Sequence, residues 1–171
     1  MPLPRHRLDF DVNKSKTRIL KKIHSILRFQ FESAIFTKIL TAENITIEFS
    51  RTTGNMKYIF LNDQRILSYK PTTGTFTLSI LGAKELHSHS VSPKHRVIIL
   101  SDVEEFIRQG KSVFAHHVLE IEESLRIGSE VLVVNEQDEL LAVGKLSVPP
   151  SYAGLSIGQA VSVRKGIPKI I

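Results

Sequence analysis

The sequence predicts an α+β module followed by a second, all-β-dominated module with one short helix. Three observations carry this. Residues 13–31 hold apolar side chains at three- and four-residue spacing, as an amphipathic helix requires. Many of the later apolar residues fall in short runs rich in β-branched side chains, bounded by Asn, Asp and Gly, as strands joined by tight turns require. The stretch from His87 to Pro93 is polar and ends in proline, which puts the module boundary there and gives domains over 1–90 and 94–169.

In the helix of the first module, Ile19, Ile23, Ile26 and Leu27 form the apolar stripe, widened by Leu20 and Phe31. Asn13 or Ser15 supplies a start signal, because a short polar side chain accepts from unpaired first-turn amides. Lys14, Lys16, Arg18, Lys21, Lys22 and Arg28 take most of the remaining surface, and no acidic residue lies between Asn13 and Phe31. A solvated face on a core-packed helix explains these cations. A face that meets phosphate explains them too, and the missing i+4 carboxylates favour it. Strands are expected at Ile45–Phe49, Tyr58–Leu61 and Ile66–Tyr69, with turns at Thr52 to Asn55 and at Asn62-Asp63. Thr75 to Leu86 reads as a short helix over this meander, weakened by Gly82.

In the second module a strand at Val97–Leu100 meets a helix opened by Ser101 and Asp102 and closed at Gly110. A strand at Ser112–Ala115 follows, then two strands flanking the polar turn Asn135–Glu139. Pro149-Pro150 cannot continue a ladder, and Ala160–Arg164 closes the module.

Composition narrows the function. The 171 residues contain no cysteine, which excludes disulfides, thiolate nucleophiles and cysteine-ligated zinc. No apolar run approaches the ~20 residues of a membrane span, and the start MPLPRHRLDF lacks the apolar core of a secretory signal. A cytoplasmic protein without membrane contact is expected. Net charge is +6, but residues 1–93 carry 14 Lys and Arg against 7 Asp and Glu, while 94–171 carry 9 against 10. An electrostatic grip on a polyanion would therefore come mainly from the first module.

Catalytic and metal motifs are missing. His87-x-His89 and His116-His117 are pairs, whereas zinc takes three or four ligands. Gly110-Lys111 lacks the glycine spacing of a phosphate-binding loop. The acidic run Glu120, Glu122 and Glu123 alternates with Ile121 and reads as the solvent side of an edge strand and turn. No cofactor and no catalytic activity are expected. Phe29, Phe31 and Phe36 could form an exposed apolar patch for a protein partner.

Gly-Ser-Glu before EVLVV, Ala-Val-Gly in the next strand and the strand–helix–glycine–strand order at 97–115 resemble the PUA domain, a small pseudo-barrel found on RNA-modifying enzymes and translation factors. The resemblance implies an RNA-contacting groove formed by the helix–glycine–strand element and the last strand. Carried over by position, it implicates Arg108, Gly110, Lys111, Ser112 and Phe114, with Arg164 and Lys165 on or after the closing strand; Phe114 also fits a core position. The family often has proline and glycine where His116 and His117 stand. The two imidazoles would narrow the groove or stack on a base or sugar.

The basic helix and the segment YIFLNDQRILSYKPTTGTFTLSILGAKEL, placed before this domain, look like the pre-PUA modules of the malignant T-cell amplified factor and the N-terminal part of ligatin. A pre-PUA segment also precedes the PUA domain of archaeosine-type tRNA-guanine transglycosylases. The first likeness implies a non-catalytic protein that binds tRNA or rRNA in translation, with the ribosome as partner. The alternatives are an accessory subunit of an RNA-modification enzyme and a protein–protein module that has lost RNA binding.

Overall fold

A computed structural model describes residues 12–32, 45–155 and 157–169, with the side chains of 12–16 outside that description. The chain divides into compact units, Met1–Phe76 and Thr77–Ile171. This is the α+β module that the periodicities predict and the mostly-β pseudo-barrel that the resemblance to the PUA domain implies.

In the first unit α1 (Val12–Phe31) lies beside a meander of β1 (Ile45–Phe49), β2 (Met56–Leu61), β3 (Gln64–Lys70) and β4 (Thr75–Leu78), in sheet order β1-β2-β3-β4. Strand β4 straddles the division between the units. The stripe does what its spacing demands: Ile23, Leu27 and Phe31 are buried, as are Ile59 and Leu67 of the sheet and Phe76 of β4. Gln30 uses its amide as a strand would, donating to the Phe76 carbonyl at 2.9 Å and accepting the Phe76 N–H at 2.6 Å. Asn62 and Asp63 take φ of 49° and 60°, the left-handed geometry of a two-residue hairpin whose twist matches the flanking strands. That turn pairs Leu61 with Gln64 and Phe60 with Arg65.

The second unit adds α2 (Ile80–His89), β5 (Arg96–Ile99), a 3₁₀ turn at Ser101–Val103, α3 (Glu104–Arg108), β6 (Val113–Phe114), a 3₁₀ turn at Ala115–His117, β7 (Val118–Ile121), β8 (Glu130–Val134), β9 (Leu140–Leu146), a 3₁₀ turn at Pro150–Tyr152 and β10 (Gln159–Gly166). The six strands run in the order β6-β10-β9-β8-β5-β7, with β5–β8 parallel and the other pairs antiparallel. Val97, Ile99, Val131, Val133, Leu141, Leu146 and Val161 fill its core.

Several details differ from the sequence reading. Thr75–Leu86 is not one helix: Thr75–Leu78 is strand, and α2 starts after Ser79, whose hydroxyl accepts the Gly82 N–H at 3.0 Å. Helix α2 buries Ala83 and Leu86 and packs on β9. Phe31 is core, 1% exposed, while Phe29 is 83% exposed; Phe36 lies outside the described residues. Glu122 is buried rather than on the solvent side. Its carboxylate accepts from the His95 N–H and the Ser124 hydroxyl and lies 3.0 Å from Lys94 Nζ.

Candidate nucleic-acid interface

Helix α3 ends in a paired turn. The Gly110 N–H donates to Ile107 O at 2.9 Å and the Lys111 N–H to Phe106 O at 3.0 Å. The turn needs the left-handed φ of +89° that Gly110 adopts, and a Cβ there would meet nothing within 4 Å, so the backbone faces open space. Strand β10 pairs with β6 through Val161 and Val113, and its Gly166 packs so closely that an added Cβ would overlap the Arg108 carbonyl. Lys165 is thereby carried to the helix end that bears Lys111.

The four cations expected here divide into two kinds. Lys111 and Lys165 are exposed, and neither has an ion pair among the described residues. Arg108 is buried, its guanidinium 2.7 Å from Glu139 and 3.9 Å from Glu104, with Nη1 donating to Ile167 O at 3.3 Å. Arg108 also holds the Glu139 carboxyl below the usual carboxylate range. Arg164 binds both oxygens of the buried Glu130, Nη1 at 2.8 Å, and donates to Leu78 O at 3.0 Å, while Glu130 accepts the Leu78 N–H at 3.0 Å. Both Arg108 and Arg164 are thus ion-paired within the fold, Arg108 buried and Arg164 with 37% of its side chain still exposed. A third arginine, Arg96, is 1% exposed and donates to Asp138, the Ser90 hydroxyl and the carbonyls of His87, Ser90 and Lys94.

Next in the chain after Lys111, β6 and the turn behind it carry an aromatic cluster. Phe114 is 51% exposed rather than core, and its ring lies 6.1 Å from that of His116 at an interplanar angle of 24°. His116 is exposed, and its ring centroid is 3.8 Å from that of half-buried His117. The stack results from the 3₁₀ turn at Ala115–His117, which turns successive side chains toward one another instead of to opposite faces of a strand. Ser112 is half-buried beside it. Phosphate contact from the lysines and stacking on a flat ring are both available at this end of the barrel.

In the first unit Arg18, Lys21, Lys22 and Arg28 are exposed on α1, and Lys22 Nζ stands 5.5 Å above the Tyr69 ring. Lys14 and Lys16 lie in α1 with side chains outside the described residues. The sequence reading missed Tyr58, whose ring has Lys57 Nζ at 4.8 Å and Arg65 at 4.9 Å from its centroid. The hairpin signal Asn62-Asp63 could have found it, because a two-residue turn returns Arg65 to β2. His87 does not join a metal site: Nε2 lies 2.7 Å from Asp138 O, and no metal-holding group occurs among the described residues. No helix among them is long and apolar enough to cross a membrane.

Comparison with known proteins agrees with this architecture. Residues 21–93 match the patch-forming domain C2 of tRNA-guanine transglycosylase, and residues 95–166 match the PUA domain. The chain is 40% identical over 151 residues to a tRNA-guanine(15) transglycosylase of Methanobrevibacter smithii, covering 88% of this chain and 23% of that protein. It is 34% identical to the tRNA-guanine(15) transglycosylase of Thermococcus onnurineus, covering 94% and 28%. It thus spans about a quarter of the length of these curated relatives. Among solved structures, a hypothetical protein from Pyrococcus horikoshii superposes with a TM-score of 0.68 at 20% identity, covering 87% of this chain and 90% of that one. A PUA-domain protein from Aeropyrum pernix does so at 0.62 and 15%, covering 92% and 84%. The chain is a domain C2–PUA pair of the kind carried by archaeosine tRNA-guanine transglycosylases.

Proposed function

We propose that this chain is a non-catalytic RNA-binding protein that serves a tRNA-modifying enzyme as its accessory RNA-binding part, with the chemistry on another chain. Residues 1–90 would be the module with the basic helix and 94–169 the PUA module. The observation that supports this reading is the open end of α3, where the Gly110 backbone faces open space beside exposed Lys111, with the Phe114–His116 pair following in the chain and exposed Lys165 on β10. Lysines are point charges without the rigid fork of arginine, so the groove would hold phosphates and ring faces rather than read base edges. The relatives are modification enzymes, which favours the accessory reading over the translation reading. Arg108 and Arg164 would act indirectly, by fixing the helix end and the last strand.

The test is a fluorescence-anisotropy titration of the full chain with tRNA, tRNA lacking its 3′ end and a plain RNA duplex, each at two salt concentrations. Tight tRNA binding that drops without the 3′ end is expected. The double reversal Lys111→Glu, Lys165→Glu should lower the slope of log affinity against log salt by about 1.8 on duplex RNA, two phosphate contacts at about 0.9 each. Charge reversal at Lys21 and Lys22 should weaken binding across RNA sequences; unchanged affinity there removes α1 from the interface. Absence of binding to every RNA, with an enzyme co-purifying, would leave only the protein–protein role.

A further inference from the structure

The turn between β8 and β9 is tied to α3 through one buried amide. Asn135 is 3% exposed, and its amide is fully used. Oδ1 accepts the Gln137 N–H at 3.0 Å and the Glu139 N–H at 2.8 Å, which closes the turn as an Asx side chain can. Nδ2 donates to Glu104 Oε1 on α3 at 2.9 Å and to Glu139 Oε2 in the turn at 3.3 Å. The other oxygen of each carboxylate faces buried Arg108: Glu139 Oε1 is 2.7 Å and Glu104 Oε2 3.9 Å from its Nη2. Two carboxylates thus share one guanidinium, and Lys169 attracts Glu139 more weakly than Arg108 does. Like charges so placed repel, and Glu139 is free to swing outward, since its side chain is 54% exposed. The Asn135 amide opposes this by holding one oxygen of each carboxylate.

We propose that Asn135 is a positioning residue for Lys111: by keeping Glu104 and Glu139 on Arg108, it fixes the last turn of α3 and so the place from which Lys111 reaches an RNA phosphate. The inference rests on the RNA-binding reading of this chain and adds a residue that acts without touching RNA. The link to Lys111 is short. Arg108 is the last residue of α3, and the Lys111 N–H is bonded back to Phe106 O in the same turn. A lysine ammonium holds phosphate as a point charge, so its contact depends on where its backbone stands. The position calls for an amide, because two hydrogen bonds are accepted and two donated there. An ionised carboxylate would keep the acceptor, lose the donor and add a third negative charge to the group.

The test is the salt dependence of the full chain's affinity for a blunt RNA duplex. It compares wild type with Asn135→Ala, Glu104→Ala and Lys111→Ala, and with each of the first two combined with Lys111→Ala. Every single substitution should lower the slope of log affinity against log salt by about 0.9, one phosphate contact. Neither Asn135→Ala nor Glu104→Ala should lower it further once Lys111 is replaced, because all three remove the same contact. Glu104→Ala also separates positioning from charge. Loss of a carboxylate favours RNA on electrostatic grounds alone, whereas loss of the tie weakens binding. That variant leaves the Asn135 turn intact, so it carries the test where Asn135→Ala does not fold. A wild-type slope in folded Asn135→Ala and Glu104→Ala, with Lys111→Ala lowering it, overturns the positioning role and spares the groove. A fall that adds in full to that of Lys111→Ala does the same. A Lys111→Ala slope equal to wild type, or a wild-type chain that binds no duplex, overturns the groove and this inference with it.

Discussion

The basic helix of the first unit and the arginines of the second use the same kind of charge in opposite ways. On α1 the described cations lie on the surface of a helix without a carboxylate, and Ile23, Leu27, Phe31 and the Gln30 amide tie it to its core. In the second unit Arg96, Arg108 and Arg164 are folded into networks with Asp138, Glu139 and Glu130, and their charge is neutralised at short range. The near-zero charge of 94–171 therefore includes arginines ion-paired within the barrel and, at Lys111 and Lys165, exposed lysines with no ion pair among the described residues. A count of basic residues measures neither. Arginine suits the first task because five fixed donors can satisfy several carbonyls at once; lysine suits the second because a mobile, hydrated ammonium is easily left in solvent.

The sharpest way to break this comparison is to remove the most buried guanidinium. Arg96→Ala strands three backbone carbonyls and the Asp138 carboxylate, and should cost about 3–5 kcal/mol, the range for breaking a buried ion pair. Chemical denaturation measures it, and a cost below that of an ordinary surface substitution would mean the network is not structural. Next comes the neighbouring pair on β10. Arg164→Ala leaves Glu130 buried without its partner and should cost about 2–3 kcal/mol, in line with hydrogen bonds to a charged group. Lys165→Ala, one residue on, should leave stability untouched and lower RNA affinity. If the two variants behave alike, the division into structural arginines and ligand-facing lysines fails.

The smallest effect is a pH dependence. Burial pushes the Glu122 carboxyl up, but the Ser124 hydroxyl, the His95 N–H and Lys94 outweigh it and leave it below its ordinary value of 4.5. A carboxyl lowered by folding contributes stability that is fully present above 4.5 and is lost as pH falls through the lower folded value. Melting temperature should therefore decline below about pH 4.5, and Glu122→Gln should flatten the decline. Glu139, lowered chiefly by Arg108, acts in the same direction. A Glu122→Gln profile parallel to that of wild type would remove Glu122 as a source.

Much of the fold was legible because it depends on local patterns. The period of 3.6 over α1, the turn residues between β1, β2 and β3, the closing glycine at 110 and the paired prolines after β9 are decided by neighbours a few residues away. The misreadings share a different cause. Thr75–Leu78 is strand because Gln30, some 46 residues earlier, supplies hydrogen bonds to Phe76. Glu122 is buried because the backbone of His95, 27 residues away, needs an acceptor. Phe114, by contrast, is exposed because its neighbours Val113 and Ala115 both turn inward, which leaves the side chain between them facing out.

The site divides along the same line. The glycine that closes α3 was legible in the sequence, since helix capping needs no distant partner, whereas the candidate groove was expected only from the resemblance to the PUA domain. Which cations remain for a ligand did not follow. Ion pairs form between residues about 30 positions apart, Arg108 with Glu139 and Arg164 with Glu130, and only the register of β8, β9 and β10 brings those charges within a few ångströms. Coulomb attraction at such distances decides whether a guanidinium is structural or available, and tertiary structure alone sets the distance.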